Sequence, residues 1–345
     1  MTEPKALIRA ARGETVSPVP FWLMRQAGRY LPEYRKVRSK ATSFLDFCYT
    51  PELAIEATLQ PVRRFGMDAA ILFSDILVVP DALGQEVDFR EGEGPVLEPV
   101  AGAADLGRLN ADRLLEYLAP VYEAIKGVRQ ELDSKTALIG FAGAPWTVAT
   151  YMIEGSGSRD HALSRQWAYT EPALMDQLIE LLVDAISRHL VAQLEAGADI
   201  VQIFDSWAGV LPDSLLDRLC IKPTAHIVQR IRAQKPDALI IGFPRGIGDR
   251  YPAYQRETGV DVVGLDTAVS IATTGRALQK SGVVQGNLDP IALLAGGEAL
   301  MRETTSILET LGHGSFIFNL GHGILKDTPI KHVETLAATI RSWRG

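Results

Sequence analysis

Residues 171–205, EPALMDQLIELLVDAISRHLVAQLEAGADIVQIFD, contain the structural unit from which the rest of the chain can be interpreted. Apolar residues recur at three- and four-residue spacing over 171–196, which predicts an amphipathic helix that Gly197 ends. The following run at 200–205 is continuously apolar, as expected of a parallel strand covered on both faces. A helix followed by a buried strand is typical of α/β proteins.

The same alternation of short apolar runs and helical stretches extends along the whole chain. The predicted strands are 19–24, 69–74, 137–142, 200–205, 238–243, 261–265, 282–287 and 315–320. This pattern predicts a (β/α)8 TIM barrel, with residues 1–345 forming a single catalytic domain that carries loop insertions. A doubly wound open sheet is the alternative, but the glycine-rich GxGxxG motif of dinucleotide-binding folds does not follow any predicted strand.

Local signals refine this prediction. Pro51, Pro172 and Pro290 suit the first turn of a helix, and each follows a residue that could cap it, namely Thr50, Glu171 or Asp289. Residues 84–99, GQEVDFREGEGPVLEP, break the alternation, so we predict a hairpin or loop inserted after the second strand.

Composition excludes several classes of protein. The chain carries 42 acidic against 35 basic residues, a balance that argues against a nucleic-acid partner. It lacks both an apolar stretch of about 18 residues and an apolar signal core, which predicts a cytoplasmic protein that does not contact a membrane. The two cysteines, Cys48 and Cys220, do not form a metal-binding spacing, and the scattered histidines indicate no metal site.

A basic segment stands out against this acidic background. Residues 25–40, RQAGRYLPEYRKVRSK, contain six basic residues and one acid, Glu33. Guanidinium groups in such a cluster suit a small polyanionic ligand. The alternative is that Arg25 and Arg29 belong to a solvated helix face and pair with Glu33.

Barrel enzymes carry their chemistry at the carboxyl ends of the strands. The polar residues at or just after the predicted strands are Arg25, Arg29, Asp75, Tyr151, Asp205, Ser206, Arg245, Asp266, Asn287 and His322. Some of them have simpler interpretations, because Asp75 and Ser206 could cap helices and Tyr151 could belong to the core. His322 lies between two glycines, which favours a functional role. Residues 155–159, GSGSR, could form a mobile lid or an ordinary turn.

Long motifs around these residues resemble the uroporphyrinogen decarboxylase family. The stretches that carry the resemblance are MRQAGRYLPEY at 24–34, FSDIL at 73–77, GFAGAPWTVATY at 140–151, FDSWAG at 204–209, QGNLDP at 285–290 and FNLGHGI at 318–324. They follow the order of the family, and the resemblance extends from about residue 5 to residue 343.

The resemblance implies a homodimeric (β/α)8 barrel that uses no metal and no organic cofactor. It implies conversion of the four acetate side chains of uroporphyrinogen to methyl groups, which gives coproporphyrinogen in heme synthesis. Arg25 and Arg29 would bind substrate carboxylates, and Gln26, Ala27 and Gly28 would shape their loop. Asp75 would accept the pyrrole N–H groups at the centre of the macrocycle. Tyr151, Ser206 and His322 would complete the substrate contacts.

Three questions stay open at this point. The proton donor could be Arg25, Tyr151, a substrate carboxyl group or water. Corrinoid-linked and zinc-dependent methyltransferases share the barrel, but they need soft ligands such as His with Cys, which neither Cys48 nor Cys220 matches by spacing. A tetrapyrrole carrier would bind the same ligand without releasing carbon dioxide.

Overall fold

The computed structural model describes residues 5–90 and 92–345. Nine strands are present in this part of the chain: β1 (Ala69–Ile71), β2 (Val87–Arg90), β3 (Gly94–Leu97), β4 (Ala137–Gly143), β5 (Ile200–Asp205), β6 (Ile240–Pro244), β7 (Val262–Gly264), β8 (Val283–Leu288) and β9 (Phe316–Leu320). Seven of them form one parallel sheet in the order β1-β4-β5-β6-β7-β8-β9, and β2 pairs with β3 separately. Each predicted strand from residue 69 onward overlaps one strand of the parallel sheet.

The first predicted strand, 19–24, is the exception. It makes only a single parallel bridge, between Phe21 and Phe318, instead of a regular strand. Pro20 explains this difference, because proline has no N–H to donate to a ladder.

This segment nevertheless bonds to both edges of the parallel sheet. On the β9 side, Phe318 N donates to Pro20 O at 2.9 Å and Trp22 N donates to Phe318 O at 3.3 Å. On the β1 side, Asp68 N donates to Phe21 O at 3.0 Å, and Phe21 N donates to Asp68 Oδ2 at 2.9 Å. The two edges therefore approach the same segment, so the sheet is curled.

Helices cover the outside of this curled sheet. They are α1 (Ala6–Ala11), α2 (Pro32–Arg38), α3 (Phe44–Tyr49), α4 (Pro51–Phe65), α5 (Val78–Ala82), α6 (Ala103–Leu106), α7 (Leu114–Tyr117), α8 (Ala119–Glu131), α9 (Pro145–Glu154), α10 (Ala162–Thr170), α11 (Pro172–Ala196), α12 (Asp213–Leu216), α13 (Lys222–Gln234), α14 (Tyr251–Thr258), α15 (Arg276–Gln279), α16 (Pro290–Ala295), α17 (Gly297–Leu311) and α18 (Ile330–Ser342). Short 3-10 turns lie at Ala208–Val210 and Gly248–Arg250, and π-helical turns at Asp217–Ile221 and Ile271–Gly275.

The predicted helix boundaries hold, but the predicted caps hold only in part. Helix α11 begins at Pro172 and ends at Ala196 before Gly197, as the sequence predicts. Asp289 caps α16 by accepting a hydrogen bond from Ile291 N. The side chains of Thr50 and Glu171 make no such bond. Thr50 instead donates its hydroxyl to Asp46 O at 2.7 Å, because the preceding helix α3 offers that carbonyl.

The predicted insertion at 84–99 is a hairpin. Strands β2 and β3 pair antiparallel, with Val87 opposite Leu97. The hairpin packs against the segment that follows α9, because Val96 forms a bridge with Ser156 and Leu97 N donates to Gly155 O at 2.8 Å.

Apolar side chains form two layers separated by the sheet. The inner cluster takes side chains from every strand of the parallel sheet and from α1, among them Leu7, Trp22, Ile139, Phe243 and Ile317. The outer cluster takes the alternate strand residues, such as Leu138 and Ile203, and packs them against the helices. This alternation is the period-two pattern of strands buried on both faces. In the described part of the chain, no helix combines the length and the apolar character that a bilayer-spanning helix requires.

Candidate active site

The polar residues predicted at the strand ends lie at one edge of the sheet, because parallel strands end on the same side. Asp75 follows β1, Ser206 follows β5, Arg245 follows β6 and His322 follows β9. Tyr151 lies on α9, the helix that begins directly after β4. We refer to Arg25, Arg29, Asp75, Tyr151, Ser206 and His322 as the candidate site.

The loop at residues 25–29 is held in place by Gln26. Its buried amide donates to Ala69 O at 3.1 Å and accepts from Leu23 N at 3.1 Å. Its backbone carbonyl accepts the Tyr30 hydroxyl at 2.7 Å. The amide of Gln26 thus makes its hydrogen bonds within the protein, and it shapes the loop rather than facing a ligand. Ala27 and Gly28, both half-buried, complete the turn.

Arg25 has a backbone φ of 60°, which is unusual for a residue with a side chain. Its side chain crosses Gly323, where an added Cβ would lie 2.4 Å from Arg25 Cδ. Only glycine at position 323 allows this close approach, so the His322 loop and the Arg25 loop fit together.

The alternative interpretation of Arg25 and Arg29 is wrong. Glu33 pairs with Arg64 at 2.6 Å and not with either arginine. Residues 25–29 precede helix α2, so the two arginines are not neighbours on a helix face. Both are exposed, and neither guanidinium makes a hydrogen bond or ion pair with any residue that the structure describes.

Asp75 has one fixed oxygen and one free oxygen. Asp75 Oδ1 accepts from Leu77 N at 2.9 Å, while Oδ2 has no hydrogen-bond partner among residues 5–90 and 92–345. This bond orients the carboxylate before α5 begins at Val78. Protein atoms surround the carboxylate of Asp75, whereas the residue as a whole is only half-buried. This combination is expected of a group at the bottom of a depression. Burial raises the pKa of Asp75 to about 6, against smaller opposing effects from the Leu77 N–H and the charge of Arg25.

Tyr151 lies close enough to Asp75 and Arg25 for both charges to affect it. Burial raises the pKa of its hydroxyl, and the neighbouring Trp207 acts in the opposite direction. The two rings are 6.4 Å apart between centroids. Tyr151 is half-buried, so it belongs to the wall of the candidate site and not to the deep core.

A small hydrogen-bond network fixes the position of Ser206. Thr147 Oγ1 donates to Asp205 Oδ1 at 2.6 Å and accepts from Trp207 N at 3.1 Å. The Trp146 indole donates to Trp207 O at 3.0 Å. Ser206 is held between these anchored neighbours, and its half-buried side chain does not cap the short turn that follows. The contribution of Thr147 was not predicted, although it lies within the motif at 140–151.

His322 is half-buried between Gly321 and Gly323. Burial lowers its pKa to about 4, the positive charges of Arg25 and Arg245 act in the same direction, and Asp266 opposes them. The imidazole is therefore neutral at physiological pH. The charges of Arg25 and Arg245 therefore both act on His322.

Hydrogen bonds hold the segment at residues 155–159 at its start, and further bonds join the residues on either side of it. Gly155 and Ser156 bond to the β2–β3 hairpin, and Ser164 N and Oγ both donate to Glu154 Oε1 at 2.9 Å. The sequence predicts no special role for His161, which is interpreted as a surface or core histidine. In the structure it is buried, and its ring centroid lies 4.8 Å from that of Trp207.

The soft ligands that a metal-activated thiol would need are not assembled. Cys48 and Cys220 are both buried, and burial raises the pKa of both thiols. In the described ranges, no group of three or more His, Cys, Asp or Glu side chains is arranged to hold a metal ion.

Comparison with known proteins now identifies the family. The profile of the family described as "Uroporphyrinogen decarboxylase (URO-D)" matches residues 2–343. The chain belongs to the uroporphyrinogen decarboxylase family. A uroporphyrinogen decarboxylase from Rhodospirillum rubrum is 52% identical over 99% of this chain and 98% of its own length. One from Mesorhizobium japonicum is 53% identical over 99% of both chains.

Solved structures support the fold of this uroporphyrinogen decarboxylase family member. A methyltransferase from Methanosarcina mazei superposes with a TM-score of 0.80, covers 97% of both chains and is 21% identical. A B12-independent methionine synthase from Shewanella gives a TM-score of 0.53 at 12% identity. At such low identity these likenesses concern the fold alone. Family membership rests on the sequence matches, which make the chain a carboxy-lyase of porphyrin biosynthesis.

Proposed function

We propose that the candidate site removes carbon dioxide from the four acetate side chains of uroporphyrinogen III and gives coproporphyrinogen III. The observation that carries this proposal is the free Oδ2 of Asp75, which lies in the same depression as Arg25. Arg25 and Arg29 bind substrate carboxylates with their unpaired guanidinium groups, and the loop of Gln26, Ala27 and Gly28 holds them there.

Asp75 is proposed to accept the pyrrole N–H groups of the reduced macrocycle. An ionised carboxylate only accepts hydrogen bonds, and its free oxygen can take several donors. Tyr151, Ser206 and His322 complete the contacts with the substrate. His322 is uncharged near neutral pH and so contacts the substrate without adding a further cation.

The reaction is proposed to begin with protonation of the pyrrole carbon next to the one that bears the acetate. The ring becomes cationic and accepts the electron pair of the breaking carbon–carboxylate bond as carbon dioxide leaves. A second proton then converts the exocyclic methylene to a methyl group, and the ring carbon loses the first proton, which restores the pyrrole. Asp75 favours this path because a fixed carboxylate stabilises the cationic ring more than the neutral one.

Burial keeps His322 uncharged, which makes it a poor proton donor. Burial also raises the pKa of Tyr151, which therefore holds its proton more tightly. Arg25, Tyr151, a substrate carboxyl group and water stay the candidate sources of the proton. The residues of the site supply the carboxylate and the cations that this path uses, and it includes no metal and no organic cofactor.

We also propose that residues 20–22 serve as the eighth strand and close the sheet into a (β/α)8 barrel within a single domain of residues 1–345. Their bonds to Phe318 and Asp68 support this closure. A cytoplasmic homodimer, without membrane or nucleic-acid partners, is the proposed working form, and sedimentation of the purified protein tests its mass.

The deciding experiment compares wild-type protein with Asp75→Asn. Each is incubated anaerobically with uroporphyrinogen III, and the oxidised products are separated by the number of carboxyl groups, from eight to four. We expect Asp75→Asn to lower kcat by about 100- to 1000-fold, the usual effect of removing one preorganised electrostatic group.

Asp237→Asn is the matched control, because Asp237 is exposed and makes no hydrogen bond or ion pair with the described residues. Near-normal turnover by Asp75→Asn would contradict the role of Asp75. Wild-type protein that binds the macrocycle without releasing carbon dioxide would instead indicate a carrier.

A further inference from the structure

Some arginine side chains have no partner among the described residues, and Arg25 and Arg29 of the candidate site are two of them. Most arginines bond to a carboxylate or a carbonyl within the protein, as Arg232 does with Asp261. The arginines whose guanidinium groups make no hydrogen bond or ion pair with residues 5–90 and 92–345 are Arg12, Arg25, Arg29, Arg159, Arg165 and Arg245. Among these, Arg245 directly follows a strand of the parallel sheet, and no function has been assigned to it above.

Arg245 lies across the sheet from Arg25. Counted from the segment at 20–22, β6 is the fourth strand in either direction, through β1, β4 and β5 or through β9, β8 and β7. In a closed sheet, Arg245 at the end of β6 is therefore opposite the loop that carries Arg25 and Arg29. The side chain of Arg25 nevertheless crosses Gly323, next to His322, and the charge of Arg245 also acts on His322, so both cations influence the same residue of the candidate site.

The backbone of Arg245 is fixed on both sides. Its N–H donates to Asp205 O at 3.0 Å, and its carbonyl accepts from Gly209 N at 2.9 Å. Gly209 and Gly246 are in such close contact that a Cβ at Gly209 would lie 2.8 Å from Gly246 Cα. The half-buried side chain of Arg245 therefore extends from a rigid backbone.

The acidic residue nearby does not neutralise Arg245. Asp266 Oδ2 accepts from Gly246 N at 2.6 Å and from the Tyr251 hydroxyl at 2.8 Å. Asp266 Oδ1 accepts from Ala268 N at 2.7 Å. Both carboxylate oxygens are used for holding the turn after β6, and the guanidinium of Arg245 is left without a hydrogen bond or ion pair among the described residues. Such a group is costly unless a ligand pairs with it.

We propose that Arg245 binds a carboxylate of the substrate on the side of the site opposite Arg25 and Arg29. This inference rests on the proposed function, and it extends that function by making Arg245 a binding residue. The macrocycle carries carboxylates all around its rim, so cations on one side alone would leave the other side unheld. Arginine in two opposite positions orients the ring over Asp75.

The experiment compares Arg245→Gln with Arg245→Lys. Anaerobic assays give KM and kcat for uroporphyrinogen III, and equilibrium dialysis gives Kd for coproporphyrinogen III, which keeps its propionates. We expect Arg245→Gln to raise KM and Kd by roughly 10- to 100-fold, as for the loss of one charge-assisted contact. We expect kcat to stay within about threefold, and Arg245→Lys to recover part of the affinity because it keeps the charge.

Arg12→Gln is the matched control. Arg12 also makes no hydrogen bond or ion pair with the residues that the structure describes. It lies beside Leu239, Gly282 and Ser315, which precede strands and so mark the opposite end of the sheet. Arg245→Gln protein with KM and Kd within about twofold of Arg12→Gln would overturn the inference. So would a fall in kcat at unchanged KM.

Folding of each variant is checked by thermal unfolding. If Arg245→Gln does not fold, Arg245→Lys decides the question: we expect its Kd to lie above the wild-type value, because an ammonium does not reproduce the geometry of a guanidinium contact, and a wild-type Kd would overturn the inference. Absence of carbon dioxide release by wild-type protein would contradict the proposed function and not the placement of Arg245.

Discussion

At the scale of single residues, burial sets the charges of the candidate site. It raises the pKa of Asp75 to about 6 and lowers that of His322 to about 4. Above about pH 6 the carboxylate is therefore ionised and the imidazole is neutral. The site presents one anion near its floor and unpaired arginines around it, which matches a ligand with central N–H donors and an anionic rim.

This assignment predicts how activity depends on pH. We expect kcat/KM to fall as the pH drops through about 6, because protonated Asp75 no longer accepts freely from the pyrrole N–H groups. The measurement is a pH profile of kcat/KM for wild-type protein and for Asp75→Asn, in which this acidic limb should be absent. A wild-type limb centred near pH 4 would point to His322 instead.

The same shift predicts that Asp75 destabilises the folded protein. Its folded pKa of about 6 exceeds the ordinary value of 3.8, so the folded state binds this proton more tightly than the unfolded state. The ionised group therefore opposes folding above about pH 6, and this penalty disappears as the pH falls toward 4. Urea unfolding at pH 7 should show Asp75→Asn to be more stable than wild type, with a smaller difference at pH 5. A less stable Asp75→Asn at pH 7 would refute this account, and Asp237→Asn provides the baseline.

At the scale of elements, the loops after the strands must fit one another closely. Gly323 and Arg25 show this, because a Cβ at residue 323 would meet Arg25 Cδ at 2.4 Å. We expect Gly323→Ala to displace the flexible end of Arg25 and to raise KM for uroporphyrinogen by about tenfold, with little change in stability. Steady-state kinetics and thermal unfolding measure the two effects. Gly102→Ala is the control, since nothing lies within 4 Å of a Cβ there; equal KM values in both variants would exclude this contact.

The sequence predicts most elements because buried strands and amphipathic helices leave strong patterns. Helix α11 and strand β5 follow directly from the spacing of apolar residues in 171–205, and Gly197 marks the boundary between them. The first predicted strand is different, since Pro20 has no backbone N–H to donate to a neighbouring strand within an otherwise apolar run. Caps are also difficult to predict, because Thr50 can bond to Asp46 O as readily as to its own helix.

The candidate site could be predicted from motifs, but its internal contacts could not. The strand-end rule selects Asp75, Ser206 and His322, and the structure places them along one edge. The pairing of Glu33 with Arg64 joins residues 31 positions apart, which local sequence does not reveal. The support that Thr147 gives to Trp207 likewise depends on helix α9 meeting the segment that follows β5.

At the scale of the whole molecule, Asp68 joins three distant parts of the chain. It accepts from Phe21 N at 2.9 Å, it pairs with Arg341 of α18 at 2.9 Å, and it precedes β1. We expect Asp68→Ala to lower the free energy of unfolding by about 2 to 3 kcal/mol, because it leaves the buried Phe21 N–H without its acceptor and removes the ion pair of Arg341, which keeps its hydrogen bond to Gly66 O. Urea unfolding measures this effect. Glu116→Ala is the control, since its ion pair with Arg113 is exposed, and similar losses in both variants would refute the special role of Asp68.

The hydrogen bonds between residues 20–22 and Phe318 have a consequence for the growing polypeptide on the ribosome. At about 5–20 residues per second, the early segment waits roughly 15 to 60 s before Phe318 has been translated. During that interval the nascent sheet has unpaired edges, which are prone to join other chains. A premature stop codon upstream of Phe318 is therefore expected to yield a fragment that aggregates instead of a partly active enzyme.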